Sequence, residues 1–335
     1  MRNKFKNFFG KNLRLKNHEM QVDDGIFCGV KFAVIIPAYN EALTISKVVN
    51  DAMQFLPSAK IYVYDNNSTD NTDEIAYEEG AIVHYVTPQG KGHVVKRMFA
   101  DVEADIYIMV DGDDTYDLTN VAKHVSLLIQ KNLDMIVGIR QHSDKNAYRL
   151  GHVFANKIIS SFMGLLFGNR VQDVFSGYRI FSRRFVKSCP CNSKTFEIET
   201  ELSIHALELT MPTCNVQVEY RSRPEGSVSK LSTYRDGIKV VRTLISLFRE
   251  YRPFYFYAIV SVIFALLSVV ISIPVISYYL KTGLVYRLPT AVLSTGLAII
   301  SAISLTIGLI IDTISKMRRK MNILAYLALP WINHK

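Results

Sequence analysis

Between Phe32 and Ile139 the chain alternates short apolar runs with longer segments whose apolar residues recur at helical spacing. Periodicity of this second kind indicates amphipathic helices. Short continuous apolar runs are typical of parallel strands that are buried on both faces. The pattern therefore predicts an α/β domain with a doubly wound, mostly parallel sheet, with strands expected at 32–36, 61–64, 81–86, 106–110 and 134–139.

Two much longer apolar runs follow near the C-terminus, at Phe254–Leu280 and Thr290–Ile311, and neither contains a charged residue. Each run exceeds the ~20 residues that a helix needs to cross a bilayer. A helix in a soluble core would show a polar stripe, which both runs lack. We therefore expect two transmembrane helices, with Pro274 tolerated inside the first.

Basic residues flank the outer sides of these two runs, whereas the connection between the runs holds only Lys281 and Arg287. The positive-inside rule then places both flanks in the cytoplasm. The net charge of +9 is explained by attraction to an anionic membrane surface, and no nucleic-acid-binding pattern competes with that explanation. We expect an integral membrane protein of a bacterial inner membrane or its equivalent, with the α/β domain and both termini cytoplasmic.

These patterns divide the chain into five parts. The expected parts are a basic N-terminal arm (1–30), the α/β domain (31–233), an amphipathic juxtamembrane helix (234–252), a two-helix transmembrane region (253–314) and a basic cytoplasmic tail (315–335). The arm could lie on lipid through its phenylalanines or remain a solvated tail. The four cysteines show no zinc-binding spacing, and we expect them to be reduced.

Polar loops follow four of the predicted strands. They read PAYNE, DNNSTD, PQGKG and DGDD in chain order. Because the carboxyl ends of parallel strands meet at one edge of a sheet, the four loops are expected to open on a common site. Asparagine, aspartate and glycine are also ordinary turn formers, so any one loop alone could be only a turn.

Asp111 and Asp113 stand two positions apart, just after the fourth strand. If the backbone stays extended there, both side chains point to the same side. Converging carboxylates need a cation between them, and oxygen ligands favour Mg²⁺ or Mn²⁺, which complete their shells with substrate phosphates. The chain has neither a dinucleotide-binding glycine motif nor a P-loop. The cluster therefore predicts a metal clamp for a diphosphate, while Asp114 or Asp117 could also cap the next helix.

Five segments together carry a resemblance: VIIPAYNEALTI, VYDNNSTDNT, GKG, VDGDDTYD and DVFSGYRIF. They resemble the family 2 glycosyltransferases of the GT-A fold, and within that family the polyprenyl-phosphate glycosyltransferases. The similarity runs in order from Phe32 to Gly237. It implies a GT-A catalytic domain that transfers a sugar, with inversion, from a nucleoside diphosphate donor, expected to be a UDP-sugar, to undecaprenyl or dolichyl phosphate. The two apolar runs fit the members that anchor their own catalytic domain.

The resemblance also implies roles for the residues that match its motifs. Asp111 and Asp113 would hold Mg²⁺ or Mn²⁺ and act in catalysis. The nucleotide would be bound by Pro37, Tyr39, Glu41, Asp65, Lys91 and Asp111. Lys91 could instead be a solvated loop lysine. Mannosyl-transferring members usually read D-A-D-L-Q-H-P where this chain reads DGDDTYD, so the identity of the sugar and of the base does not carry over.

A phosphate acceptor is already anionic near neutral pH, with a second pKa near ~6, so it needs cations more than a strong base. The candidates for binding it are Arg140, Arg179, Arg223, Ser229 and Lys230. The loop that holds the last three could instead be attracted to anionic lipid. Asp173 is a candidate catalytic base or acceptor-orienting group, unless it only pairs with Arg179. The resemblance places a helix at 197–201 whose carboxylates could face the donor sugar, but we expect them to be solvated helix charges.

Two other functions stay open. The first is a membrane glycosyltransferase with a glycan or another lipid as acceptor, although such synthases usually carry a Q-x-x-R-W motif, which this chain lacks. The second is a non-catalytic subunit that binds nucleotide sugar, against which the intact D-x-D motif argues. The expected partners are a nucleotide sugar, a polyprenyl phosphate, the membrane and further copies of the chain, but no nucleic acid.

Overall fold

The computed structural model describes residues 29–142, 164, 173–191, 198–221 and 245–331. Several predictions fall on other residues. The predicted N-terminal arm, most of the juxtamembrane helix and the acceptor candidates Arg223, Ser229 and Lys230 lie outside the described residues.

A mostly parallel sheet forms the centre of the domain, as the apolar runs predict. Its strands are β1 (Phe32–Ala38), β2 (Ala59–Asp65), β3 (Ile82–Tyr85), β4 (Ile106–Met109), β5 (Met135–His142), β6 (Arg179–Ser182) and β7 (Thr213–Tyr220). Their order across the sheet is β3-β2-β1-β4-β6-β5-β7. Strand β6 runs antiparallel to both of its neighbours, whereas all other neighbouring strands are parallel.

Helices cover both faces of the sheet, which confirms the doubly wound α/β class. They are α1 (Ile45–Phe55), α2 (Thr72–Glu78), α3 (Lys91–Asp101), α4 (Val121–Gln130), α5 (Arg183–Ser188) and α6 (Ile198–Glu208). The apolar residues of α1 show why it packs, because Ile45, Val48, Val49 and Ala52 recur at helical spacing and are all buried. Helices α1, α2 and α4 contribute to one apolar core, and α3, α5 and α6 contribute to the other.

The reversed strand β6 brings an additional part of the chain to the site. Arg179, its first residue, pairs with Met109 at the end of β4 and with Val137 of β5. Because β6 runs opposite to them, the residues just before it lie at the carboxyl edge of the parallel strands. The segment 173–178 therefore reaches the same edge as the polar loops.

Two helices follow a short helical segment at 245–251. With the segment at 245–251 named α7, the two long helices are α8 (Pro253–Thr282) and α9 (Leu288–Leu327). Both are long and apolar enough to cross a membrane, and many of their large apolar side chains are exposed. Small polar residues let the two helices approach closely, since the Ser261 and Ser301 hydroxyls are 3.0 Å apart.

Helix α9 extends well beyond the apolar run from which it was predicted. The sequence indicates a basic tail at 315–335 that is separate from the apolar run, whereas this stretch continues the helix to Leu327 and contacts the α/β domain. Ile323 and Tyr326 pack against the core that contains α5 and α6. The apolar residues between the basic residues of this stretch explain the difference, because burying them against the domain removes apolar surface from water.

Candidate active site

Hydrogen bonds join the loop after β1 to the loop after β2. The Asn40 backbone N–H donates to the Ser68 hydroxyl at 2.9 Å, and the Thr69 N–H donates to the Asn40 side-chain oxygen at 2.8 Å. The Glu41 N–H donates to the Thr72 hydroxyl at 2.9 Å. Asn40 has φ of 52°, which asparagine tolerates better than most residues. These bonds keep Glu41 in the loop, and helix α1 begins only at Ile45.

The other two loops are attached in the same way. The Asn66 amide donates to the carbonyl oxygens of Val86 and Pro88, at 2.8 and 2.9 Å, and its oxygen accepts from the Gly90 N–H at 2.7 Å. The Thr44 hydroxyl donates to the Gly112 carbonyl at 2.7 Å. All four loops therefore meet at the carboxyl edge of the sheet. Hydrogen bonds from side chains to the backbone of the neighbouring loop fix their geometry.

Asp65 ends β2 inside this group of loops and is only 4% exposed. One of its oxygens, Oδ2, accepts from the Ser68 N–H at 3.0 Å. The other, Oδ1, is buried and has no hydrogen-bond partner among the described residues. A buried carboxylate oxygen without a partner is costly, so Oδ1 is suited to accept a hydrogen bond from a ligand.

Lys91 is the first residue of α3 and lies between two carboxylates. Its Nζ is 2.5 Å from Asp111 Oδ1 and 2.6 Å from Glu199 Oε1. Burial alone lowers the pKa of Lys91, but the charges of Asp111 and Glu199 outweigh burial and hold that pKa above its ordinary value. Lys91 is therefore a cation of the site and not a solvated loop lysine.

Asp113 differs from Asp111 in its surroundings. The chain turns at Gly112 and Asp113, so the assumption of an extended backbone beyond Val110 is wrong. Asp113 is 4% exposed, and its Oδ1 accepts from the Thr115 hydroxyl at 2.6 Å. Burial, then the charge of Asp113 and more weakly that of Asp111, raises the pKa of Tyr220. Both carboxylates therefore act on the same small region.

Gly177 leaves the space that the Asp111 carboxylate occupies. A Cβ atom at Gly177 would overlap both carboxylate oxygens of Asp111. The Gly177 N–H donates to the Tyr116 hydroxyl at 2.8 Å, which holds the segment before β6 against the loop after β4. A glycine is therefore required beside the D-x-D motif.

We expect Gly177→Ala to reduce kcat/KM about 100-fold, because displacing a reactive group by about 1 Å has an effect of that size. The measurement is steady-state transfer by purified full-length enzyme, with thermal unfolding recorded in parallel. Gly296→Ala is the matched control, since a Cβ atom there meets nothing within 4 Å. Wild-type activity in Gly177→Ala would show that the position of Asp111 does not matter.

Arg140 and Asp173 form a two-bonded ion pair at the end of β5. Arg140 Nε lies 2.8 Å from Asp173 Oδ2, and Nη2 lies 2.9 Å from Oδ1. The Asp173 side chain is 6% exposed and that of Arg140 is 23% exposed. The pair suggested by the sequence, Asp173 with Arg179, is replaced by this one. Asp173 thus fixes the guanidinium of Arg140, which stays accessible.

Arg179 does not share this accessibility. It is fully buried, and its guanidinium donates to the Ser176 and Val174 carbonyls at 2.9 and 2.7 Å and to the Ser203 hydroxyl at 3.0 Å. Burial lowers the pKa of Arg179 to about 10. Because its donors serve protein acceptors, Arg179 supports the segment before β6, and we remove it from the predicted acceptor set.

The structure brings most of the described candidates to one edge of the sheet, and it adds Glu199 and Gly177. Pro37 and Tyr39 are half-buried at and just beyond the end of β1. Glu199 was expected to be a solvated helix charge, but α6 is buried from Ile198 to Leu207. The Oε2 atom of Glu199 is buried without a hydrogen-bond partner among the described residues. The sequence signals for Glu199 were the cluster of carboxylates in EIETE and the helix that the resemblance places there.

Comparison with known proteins identifies relatives of this chain. Residues 33–189 match the family described as Glycosyl transferase family 2. Glycosyltransferase AglJ of Haloferax volcanii is 32% identical over 231 residues, which cover 68% of this chain and 75% of AglJ. Dolichyl-phosphate beta-glucosyltransferase of Saccharomyces cerevisiae is 24% identical over 68% of this chain and 76% of that protein.

A solved structure shares the fold. It is glucosyl-3-phosphoglycerate synthase from Mycobacterium tuberculosis in complex with Mn²⁺, uridine-diphosphate and phosphoglyceric acid, with a TM-score of 0.55 over 70% of this chain and 84% of that chain. The identity is 18%, so this similarity establishes the GT-A fold alone. Together with the family match and the identity to AglJ, it identifies the chain as a GT-A glycosyltransferase that belongs to glycosyltransferase family 2.

Proposed function

We propose that this glycosyltransferase transfers a sugar from a UDP-sugar to the phosphate of undecaprenyl or dolichyl phosphate, with inversion, at the cytoplasmic face of a membrane. One observation carries the proposal: the domain that holds the site continues into two long helices with exposed apolar side chains. An acceptor that resides in the bilayer explains that combination. The name of the yeast relative, a dolichyl-phosphate beta-glucosyltransferase, supports the same acceptor class.

The donor would lie along the loops at the carboxyl edge. Pro37, Tyr39 and Glu41 line the end of β1, and Asp65 Oδ1 offers an unused acceptor to an N–H of the nucleoside. Lys91 would neutralise the diphosphate, aided by the partial positive charge at the N-terminus of α3. A UDP complex of the structurally similar mycobacterial synthase supports a uridine donor.

The residues of the D-x-D motif fit a hard divalent cation. Asp111 and Asp113 supply carboxylate oxygens, which Mg²⁺ and Mn²⁺ prefer, and the missing side chain at Gly177 leaves room for the Asp111 carboxylate itself. When bound, the ion would offset the negative charge that develops on the leaving diphosphate. The Mn²⁺ in the complex of the mycobacterial synthase supports this proposal.

The acceptor phosphate would be the nucleophile. One of its oxygens forms a bond to the anomeric carbon while the bond from that carbon to the donor phosphate oxygen breaks, and the electron pair leaves with UDP. An acceptor dianion needs no base for this step. Arg140 would hold the acceptor phosphate through its guanidinium, and Asp173 would act by fixing Arg140. Arg223, Ser229 and Lys230 remain proposed acceptor contacts.

We expect membranes that contain the protein, a polyprenyl phosphate and labelled UDP-sugars to form a labelled product that partitions into organic solvent. Addition of EDTA should stop its formation, because the diphosphate would lose its counter-ion. Membranes without added polyprenyl phosphate are the control. A label in a solvent-insoluble polymer would favour the glycan acceptor. Binding of UDP-sugar without any product, across a panel of donor sugars, would favour the non-catalytic subunit.

A further inference from the structure

The C-terminal end of α9 and the turn after it lie against the catalytic domain. We call residues 318–331 the clamp. Helix α9 has 40 residues, so it is about 60 Å long at 1.5 Å per residue. The apolar stretch and clamp residues 318–327 are therefore parts of one continuous helix, and the clamp makes three contacts, two with the domain and one with α7.

The first contact centres on Asp134, the residue before β5. Asp134 is fully buried, and its carboxylate accepts from the Ser182 hydroxyl at 2.7 Å and from Arg184 Nε and Nη2 at 2.5 and 2.9 Å. The Tyr326 hydroxyl donates to Asp134 Oδ2 at 2.8 Å. A residue of the clamp thus completes the hydrogen bonding of a buried carboxylate in the domain.

Arg184 strengthens the same contact. Its guanidinium carbon lies over the ring of Tyr326 and over the ring of Trp331, at 4.7 Å from each ring centroid. Cation–π contacts of this kind are strongest where water is excluded. Trp331 also packs against the core on the far side of the sheet from α5 and α6. The clamp therefore binds the domain through polar and apolar contacts together.

The other two contacts lie closer to the apolar stretch. Arg319 Nη2 donates to the Glu208 carbonyl, the last residue of α6, at 2.6 Å. Arg318 pairs with Glu250 at 2.8 Å and lies over the ring of Tyr251 at 5.7 Å. Helix α6 carries Glu199 of the active site in its first turn. The same helix thus contributes to the site at one end and is held by α9 at the other.

The position of these contacts leaves the active site open. Asp134 precedes β5 and so lies at the amino edge of the parallel strands, whereas Asp111 and Arg140 lie towards the carboxyl edge. Within the described residues, the clamp is a second attachment of the domain to the transmembrane helices, besides the chain that leads into α8. One covalent connection permits rotation of the domain, but a second attachment on another side fixes its orientation.

We propose that the clamp holds the catalytic domain in one orientation over the bilayer, and that Tyr326 is a positioning residue for transfer to a membrane-borne acceptor. This inference rests on the proposed function, because orientation matters only when the nucleophile comes from the membrane. A fixed orientation raises the effective concentration of the acceptor phosphate at the site. The clamp thus acts on acceptor capture, not on the donor site.

A distance measurement tests the orientation directly. Spin labels at Lys60→Cys and Leu284→Cys, in full-length protein whose native cysteines are replaced, should give one narrow distance distribution in liposomes. The double variant Tyr326→Ala/Trp331→Ala should broaden it. Leu327→Ala, whose side chain is 67% exposed, is the matched control and should not. An unchanged distance distribution in the double variant would overturn the proposal that the clamp fixes the orientation of the domain.

Kinetics test the functional part. In liposomes with a long-chain polyprenyl phosphate, the double variant should raise the acceptor KM about tenfold. With a short, water-soluble polyprenyl phosphate in detergent, its kcat/KM should stay within about twofold of wild type, since diffusion then supplies the acceptor. Tyr326→Phe should fall in between. Equal losses with both acceptors would overturn the inference, whereas a wild type inactive with both would instead refute the proposed function.

Discussion

Asp113→Ala should lower the rate of sugar transfer about 100- to 1,000-fold, the range found when one group that stabilises developing charge is removed. Asp113 is buried and bonded to Thr115, so its carboxylate has little freedom to move. Its loss would remove one of the two ligands that we propose for the divalent ion. The measurement is formation of organic-extractable product by purified enzyme, with a titration of Mn²⁺ in the presence of UDP.

The ion titration separates a ligand from a merely structural residue. Asp113→Ala should weaken Mn²⁺ binding because it removes the ligand. Asp113→Asn should weaken it less, because the amide still supplies an oxygen, although a poorer ligand for a hard cation than a carboxylate. Asp73→Ala is the matched control, since Asp73 lies in the first turn of α2 and accepts only an exposed bond from Tyr85. Unchanged Mn²⁺ affinity in Asp113→Ala would refute the metal assignment.

Lys91→Met should produce the second large loss, about 100-fold in kcat/KM. The substitution removes the cation that lies between Asp111 and Glu199 and would neutralise the donor diphosphate. Two carboxylates without a shared cation repel each other, so the arrangement of Asp111 and Glu199 would be disfavoured. Affinity for UDP, measured by calorimetry, should fall together with activity.

The variants that decide the role of this lysine keep the rest of the cluster intact. Glu199→Gln retains the shape of the side chain while removing its charge, and should give a smaller loss than Lys91→Met. Lys60→Met is the control, because Lys60 is exposed near the start of β2, away from the site. If Lys91→Met lowers only the Tm and leaves activity per folded enzyme unchanged, the lysine acts in stability alone.

Local patterns were sufficient to predict strands β1 to β5 and the polar loops that follow four of them. Strands such as β4 are wholly buried, so their composition is set by burial and is readable along the chain. The loops after β1, β2 and β4 were found because parallel strands share one edge. The antiparallel strand β6 was not predicted, since its sequence RIFS holds only two adjacent apolar residues, Ile180 and Phe181.

The contacts that complete the site could not be read from local pattern. Lys91 and Glu199 are 108 positions apart, and Tyr326 and Asp134 are 192 apart. Helix α6 mixes polar and apolar residues all round because every face of it is buried, so it gave no amphipathic signal. The sequence alone predicted that Arg179 binds phosphate. Its burial could not be predicted, because the burial depends on α6, which approaches from another part of the chain.

The reversal of β6 builds the pocket from two separate segments of the chain that enter it in opposite directions. Parallel units up to β4 supply Asp65, Lys91 and Asp111, which face the nucleotide in our proposal. Asp173 and Gly177 arrive from the opposite direction, after the stretch that separates β5 from β6. Exchange of that stretch could redirect the enzyme to a new recipient while its donor preference is inherited unaltered. A group of related enzymes could form different products in this way without changing the residues that we propose bind the nucleotide.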